Sequence, residues 1–344
     1  MTDQWEANAS HCCFYHRHQA LFSRTERATI WLIPWPINTM TQLTHSSKTQ
    51  AWLDSLRPKT LPLAFASIVT GTVIACWHSN FKPGVALLTL ITAGLLQILS
   101  NLANDYGDAV KGSDKEDRIG PLRGIQTGAI SLQELRKALL ITVTLTAISG
   151  SALVALACEK PVDIVVFLAL GLLAILAAIT YTVGNKPYGY IGLGDISVLI
   201  FFGWLSVAGS YYLQTGYFDS SVILPATACG LLAVAVLNIN NLRDIDSDRE
   251  NGKNTLAVRL GAHKARRYHM VLLMTAPVCL ALFAMLYLHT LAGWLFILAL
   301  PLLVKQGRYV MRETTAFSMR PMLEKTVKGA LLTNLLFAVG VLLS

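Results

Sequence analysis

Nine apolar runs, each long enough to cross a lipid bilayer, dominate this chain. A helical crossing needs about 20 mostly apolar residues, with roughly 17 to 25 tolerated. Runs of that kind lie near 61–77, 85–104, 137–158, 162–183, 191–213, 222–240, 268–288, 291–306 and 328–343. No water reaches the bilayer core to bond peptide groups, so such runs fold as helices that satisfy their own backbones. The expected fold is all-α: a polytopic membrane protein of nine transmembrane helices with acid-rich loops at one face. Only His289 and Thr290 separate the seventh run from the eighth, which predicts a tight helical hairpin. The chain is 14% charged and 53% hydrophobic, against roughly 25% charged in soluble domains. Two soluble domains are excluded.

Loop charge sets the orientation. The segment before residue 60 and the loops 105–137, 184–190, 241–267 and 305–328 hold 26 of the 28 Lys and Arg residues. Only Lys82 and Lys160 lie on the other side. The positive-inside rule then puts the amino terminus and the four even-numbered loops in the cytoplasm. The net charge of +8 does not indicate nucleic acid, because the bases are scattered between apolar runs rather than gathered on one face. Cys76, Cys158, Cys229 and Cys279 each stand alone in apolar surroundings, where a thiol acts as a small hydrophobe and not as part of a disulfide framework.

Residues 1–39 share none of this pattern. The stretch 28–37 is too short and too proline-broken to span, and His11, Cys12, Cys13 and His16 match no common zinc spacing. These residues are read as upstream sequence with Met40 as the initiator, leaving 40–344 as one domain. Farther on, Ser131 and Glu134 have capping-box spacing and predict the start of the third helix.

Two loops carry acids directly after an apolar helix. The first reads Asn101-Leu-Ala-Asn104-Asp105-Tyr-Gly-Asp108, followed by Asp114 and Asp117. Positions 101, 105 and 108 fall within about 60° of one another on a helix, bringing one amide and two carboxylates together at the mouth of the second span. The second runs from Asn238 through Asn240, Asp244, Asp246 and Asp248 to Lys253, with Asn240, Asp244 and Asp248 on one face at i, i+4 and i+8. Grouped carboxylates near low dielectric repel unless a cation lies between them. Oxygen ligands with open positions suit Mg²⁺, which keeps waters and bridges to phosphates. Lys111, Arg118 and Arg123 flank the first motif and Arg243, Lys253 and Arg259 the second, the partners a diphosphate requires. Acids merely paired with neighbouring bases in a solvated loop are the other reading, and Lys115 and Arg118 would serve Asp114 and Asp117 in that way.

On these residues the chain resembles the UbiA superfamily of intramembrane prenyltransferases. The strings LRPKTL at 56–61, NLANDYGDAVKGSD at 101–114, YTVGNKPYGYIGLGD at 181–195 and NNLRDIDSDRENGKNTLAVRLG at 240–261 are most similar to its branch that prenylates 1,4-dihydroxy-2-naphthoate in menaquinone synthesis. The resemblance covers Trp52 to Ser344. It implies transfer of a polyprenyl group, taken as octaprenyl, from its diphosphate to the naphthoate with loss of CO₂. It further implies that Asn101, Asp105 and Asp108 hold one Mg²⁺ and that Asn240, Asp244 and Asp248 hold another. Lys111, Arg118, Lys186 and Lys253 are the implied diphosphate ligands. The family often spaces its first two acids four apart, whereas Asp105 and Asp108 are three apart; both spacings keep one helix face.

Three further residues keep two readings each. Tyr181 either faces the allylic cation or anchors the helix at the interface. Arg57 either pairs with the acceptor's carboxylate or acts as a positive-inside anchor. Asp195, the only carboxylate in the fifth run, either orients the phenolic hydroxyls or lies shallow enough to be solvated. Competing functions are a 4-hydroxybenzoate prenyltransferase, a haem farnesyltransferase, and a divalent-cation or anion transporter. Transporters bind near the midplane between broken helices, whereas these acids gather at one face.

Overall fold

The computed structural model describes residues 47–112 and 123–344. Among them nine helices are long and apolar enough to cross a membrane: Lys48–Trp77, Pro83–Lys111, Leu132–Ala157, Pro161–Thr180, Gly194–Thr215, Ser220–Arg243, Leu256–Tyr287, Leu291–Arg312 and Phe317–Leu342. They are the first to ninth spans below, and no strand occurs among the described residues. The all-α expectation holds, and the chain is a multi-pass membrane protein. The readings of residues 1–39 and of Met40, Asp114, Asp117 and Arg118 fall outside the described residues.

Helix ends extend past the apolar runs wherever the charged flank is itself a good helix former. The second span continues to Lys111, and the seventh begins at Leu256 rather than near 268. Hydropathy marks the stretch immersed in lipid, while the backbone follows propensity and caps. Gly261, at φ 75°, breaks the seventh helix near its start, a conformation that only glycine adopts without cost. The first span is two helices, Lys48–Leu56 and Leu61–Trp77. Arg57 ends the first of them in the left-handed region at φ 52°, and Pro58 cannot extend it. Ser131 and Glu134 form the capping box expected of them. The second and fourth spans open on Pro83 and Pro161, each just after one of the two isolated lysines.

The sixth span is the centre of the bundle. Small residues at Ala226, Ala228, Gly230, Ala233 and Ala235 let its neighbours approach closely, and 72% of its apolar stretch is buried, against 6% for the fourth span. Outward-facing apolar side chains such as Val162, Leu140 and Leu172 form the lipid-facing surface. The seventh and eighth spans turn within Leu288–Thr290, the hairpin the sequence predicts.

Candidate functional site

A cavity of about 960 Å³ runs into the bundle from the end where the acid motifs lie. Its rim is polar, lined by Arg57, Asn101, Asp105, Asp108, Arg123, Asn240, Asp244, Asp248 and Lys253. Its depth is apolar, walled by Ile68, Leu96, Val154, Phe167, Phe202 and Leu205. Part of that wall is the fifth span's segment Leu199–Ala208, wound as a π-helix, a form that recurs at functional sites.

The first cluster sits on an unbroken helix. Asp105 and Asp108 are 2% and 4% exposed, a costly place for charge unless it is paired. Arg57 Nη2 lies 2.6 Å from Asp105 Oδ1. Arg123 reaches both acids, Nε at 3.4 Å from Asp105 Oδ1 and Nη2 at 2.9 Å from Asp108 Oδ2. Arg123 also donates to the Asn104 carbonyl at 3.3 Å. Asn101 shares their face, but its amide donates to the Leu56 carbonyl at 3.0 Å and its oxygen accepts from Gln97 at 3.2 Å. It therefore closes the end of the Lys48–Leu56 helix against the second span, which brings Arg57 to the acids.

The second cluster sits at a helix break, not on the continuous helix its spacing suggests. The helix ends at Arg243, Asp244 is the junction at φ −99° and ψ 12°, and a short helix, Ile245–Glu250, follows. Backbone bonds still run from Asp244 N to the Asn240 carbonyl at 3.0 Å and from Asp248 N to the Asp244 carbonyl at 2.7 Å. That is why Asn240, Asp244 and Asp248 all reach the cavity. Arg243 grips Asp244 with two bonds of 2.7 and 2.6 Å, and Lys253 Nζ lies 3.8 Å from Asp248 Oδ1. Asp246 points elsewhere, exposed and 3.3 Å from Arg249. Arg259 is a tether: it donates to the Ile191 carbonyl at 2.7 Å.

Between the clusters lies the loop after the fourth span. A Cβ on Gly107 would come within 2.7 Å of the Thr182 carbonyl oxygen, and Thr182 Oγ1 donates to the Ala103 carbonyl at 2.9 Å, so this loop rests directly on the second span. Tyr181 lines the cavity. Gly189 and Gly194 cradle its ring, since a Cβ on either would come within 3.0 Å of a Tyr181 atom. Burial, reinforced by the nearby Asp195 carboxylate, pushes the Tyr181 phenol above the usual tyrosine range. Asp195 is buried, with Oδ1 unpartnered among the described residues. Lys186 is exposed and outside the cavity lining, and so is Lys111, whose ammonium lies over the Tyr190 ring. Tyr190 and the double clasp by Arg123 went unassigned in the sequence. The two tyrosines of the KPYGYIG string, Tyr188 and Tyr190, were the available signal for the first.

The rim fits a hard divalent cation. It offers carboxylate and amide oxygens from two opposed walls, with no sulfur or imidazole. Among the described residues no three His, Cys, Asp or Glu side chains gather closely enough to hold an ion by themselves.

Residues 64–317 match the UbiA prenyltransferase family. The chain is 72% identical over 298 residues to the 1,4-dihydroxy-2-naphthoate octaprenyltransferase of Escherichia coli strain K12, covering 87% of this chain and 97% of that one. It is 54% identical over 300 residues to the protein of the same name from Haemophilus influenzae, with coverage of 87% and 97%. Among solved structures, a UbiA homolog from Archaeoglobus fulgidus bound to DMAPP and Mg²⁺ superposes with a TM-score of 0.54 at 14% identity, covering 84% of this chain and 99% of that one. A digeranylgeranylglyceryl phosphate synthase gives 0.57 at 18% identity, covering 86% and 99%. Likeness at that level is likeness of fold.

Proposed function

The chain belongs to the UbiA prenyltransferase family, and from that premise we propose that it transfers an octaprenyl group from its diphosphate to 1,4-dihydroxy-2-naphthoate. The product, after loss of CO₂, is demethylmenaquinol, a step of menaquinone synthesis. One observation carries the reading on the structural side. Two acid clusters with interleaved Arg and Lys face each other across the mouth of a cavity whose depth is apolar. An anionic head and a long hydrocarbon tail fit that polarity, and the named relatives give the acceptor.

Bound at the rim, Mg²⁺ would supply charge neutralisation to the diphosphate leaving group. Asn101, Asp105 and Asp108 would hold one ion, and Asn240, Asp244 and Asp248, on the opposite wall, a second. Lys253, Lys111 beside it on the Tyr190 ring, and Arg118 take the phosphate oxygens, and Lys186, which the sequence also offers, lies exposed and outside the cavity lining. The allylic C–O bond breaks, and its electron pair leaves with the diphosphate. The neutral ring of Tyr181, in the cavity wall, shields the cation from water and attracts it through its π face. Arg57, with its side chain 31% exposed, has donors to spare for the acceptor's carboxylate. The naphthol carbon bearing that carboxylate forms the new C–C bond. The C–COO⁻ bond then breaks, CO₂ departs, and the pair it leaves restores the aromatic ring. Asp195, for which the sequence offered the acceptor's hydroxyls, lies buried outside the cavity lining and acts through its neighbour Tyr181. The loop charges support a rim that faces the cytoplasm, and the named bacterial relatives support a bacterial inner membrane.

Membranes carrying the protein, given Mg²⁺ and labelled octaprenyl diphosphate, test the reading with dihydroxynaphthoate and 4-hydroxybenzoate offered separately. A prenylated, decarboxylated naphthol that disappears with EDTA is the expected result. Transfer to hydroxybenzoate alone would overturn the acceptor, and transfer to neither from folded protein would overturn the reading.

A further inference from the structure

Tyr190 bonds to both acid clusters at once. Its hydroxyl donates to Asp108 Oδ1 at 2.8 Å. The Lys111 ammonium lies 4.2 Å from its ring centroid and the Lys253 ammonium 5.3 Å. Its backbone carbonyl accepts from Asn254 N at 2.9 Å. Asp108 and Lys111 belong to the second span, whereas Lys253 and Asn254 follow the sixth. The residue is 8% exposed, and the Arg259 bond to Ile191 fixes its neighbour to the first turn of the seventh span. Its placement is therefore set from both sides.

Two ammonium groups on one aromatic ring call for a physical reason. Like charges repel, and each lysine stem gives up as much as about 2 kcal/mol of rotamer freedom when it is held. Left to themselves the two side chains would spread into water. The negative faces of a tyrosine ring attract each of them by roughly 0.5–2 kcal/mol, more as water is excluded. The ring, together with the Asp248 carboxylate 3.8 Å from Lys253 Nζ, thus holds a pair of cations, one from each cluster, beside the cavity rim before any ligand arrives. A ligand with two adjacent anionic groups, a diphosphate, is what such a pair receives.

We propose that Tyr190 is a positioning residue, pairing Lys111 with Lys253 for the two phosphoryl groups of the prenyl diphosphate while its hydroxyl fixes the Asp108 carboxylate. The inference rests on the prenyl-transfer reading above. It separates two jobs within one side chain: the ring serves the lysines, and the hydroxyl serves the acid.

Steady-state transfer by the full chain in membranes, with octaprenyl diphosphate and dihydroxynaphthoate varied in turn, tests it. Tyr190→Phe keeps the ring, so the KM for the diphosphate should stay within about threefold while the Mg²⁺ needed for half-maximal rate rises. Tyr190→Leu should raise the diphosphate KM about tenfold and leave the naphthoate KM unchanged. A trifluorophenylalanine placed at position 190 matches Phe in shape but has a depleted π face. It should raise the same KM relative to Phe, and it decides the matter if the Leu variant does not fold. In a Lys253→Met background, Tyr190→Leu should cost clearly less than it does alone, because the two changes remove one interaction. Equal diphosphate KM values for the Phe and fluorinated proteins would overturn the proposal. So would a rise in both KM values together, which marks a wall residue and not a cation holder. Should the wild type transfer nothing, the functional reading falls and takes this inference with it. If the wild type transfers and the position-190 series is flat, only this inference falls.

Discussion

The two acid clusters face one cavity and are built in opposite ways. Asp105 and Asp108 lie on an intact helix, buried, and are neutralised from a distance: Arg57 is 48 residues away from Asp105 and Arg123 is 15 from Asp108. Asp244 lies at a helix break, with its side chain 18% exposed, and is neutralised by Arg243 beside it in the chain. The first cluster exists only once three segments have folded together. The second carries a counter-charge beside it in the chain, so the pairing of Asp244 with Arg243 depends less on distant segments.

The largest expected effect tests that division directly. Asp105→Ala and Asp244→Ala should each lower transfer by about a hundredfold or more, the scale on which loss of one electrostatic contact to the reacting group is felt. Asp105→Ala should also cost about 3 kcal/mol of stability, because it removes the buried carboxylate that ties Arg57 and Arg123 to the second span. Asp244→Ala should cost less, about 2 kcal/mol, since the carboxylate it removes is part-exposed but is taken from the buried Arg243. Thermal unfolding in detergent beside the transfer assay separates the two, and equal losses of stability would erase the comparison.

Next in size is Arg123→Met. With its guanidinium gone, Asp105 keeps Arg57 and Asp108 keeps Tyr190, so the loss should be about 2 kcal/mol in EDTA. If a cation takes the place of Arg123 between the acids, Mg²⁺ should raise the melting temperature of this variant more than that of the wild type, by the ordinary linkage of binding to stability. An equal rise in both would place the ion elsewhere.

Much of this architecture was legible, and the reasons are specific. Nine spans show in the sequence because lipid demands about 20 apolar residues in a row, and nothing else in a chain of this length resembles that. The face shared by Asn240, Asp244 and Asp248 shows because i, i+4 spacing outlasts the break at Asp244, where the backbone bonds continue. The clasp of Arg57 and Arg123 on Asp105 does not show, because pairing between separate segments leaves no periodicity behind. Asn101 is the instructive case. Its helix face was readable and its partner was not, for the amide meets the Leu56 carbonyl across a gap of 45 residues.

A smaller effect is expected at Tyr181, between the clusters. Burial raises its phenol pKa, so the neutral form persists through and beyond the ordinary titration near pH 10. The ring, not a phenolate, is then what acts. Tyr181→Phe should lower kcat by no more than about tenfold, and the ratio of wild-type to variant rates should stay constant from pH 7 to pH 10. A ratio that changes as pH rises would show the hydroxyl ionising in that window.

The smallest effect is expected at Asp246, and it sharpens the comparison most cheaply. By sequence this residue is the middle acid of the second motif, in the run Asp244-Ile-Asp246-Ser-Asp248. By geometry it turns away from the cavity, its side chain 71% exposed and 3.3 Å from Arg249 on the same short helix. An exposed pair three residues apart contributes a few tenths of a kcal/mol. Asp246→Asn should therefore leave transfer within about twofold and stability within about 0.5 kcal/mol. Asp244→Asn and Asp248→Asn, one step to either side, should each lose most activity. If Asp246→Asn proves as damaging as its neighbours, the second cluster works through the total negative charge of its loop. If it is silent, what counts is which acids the break at Asp244 turns toward the cavity.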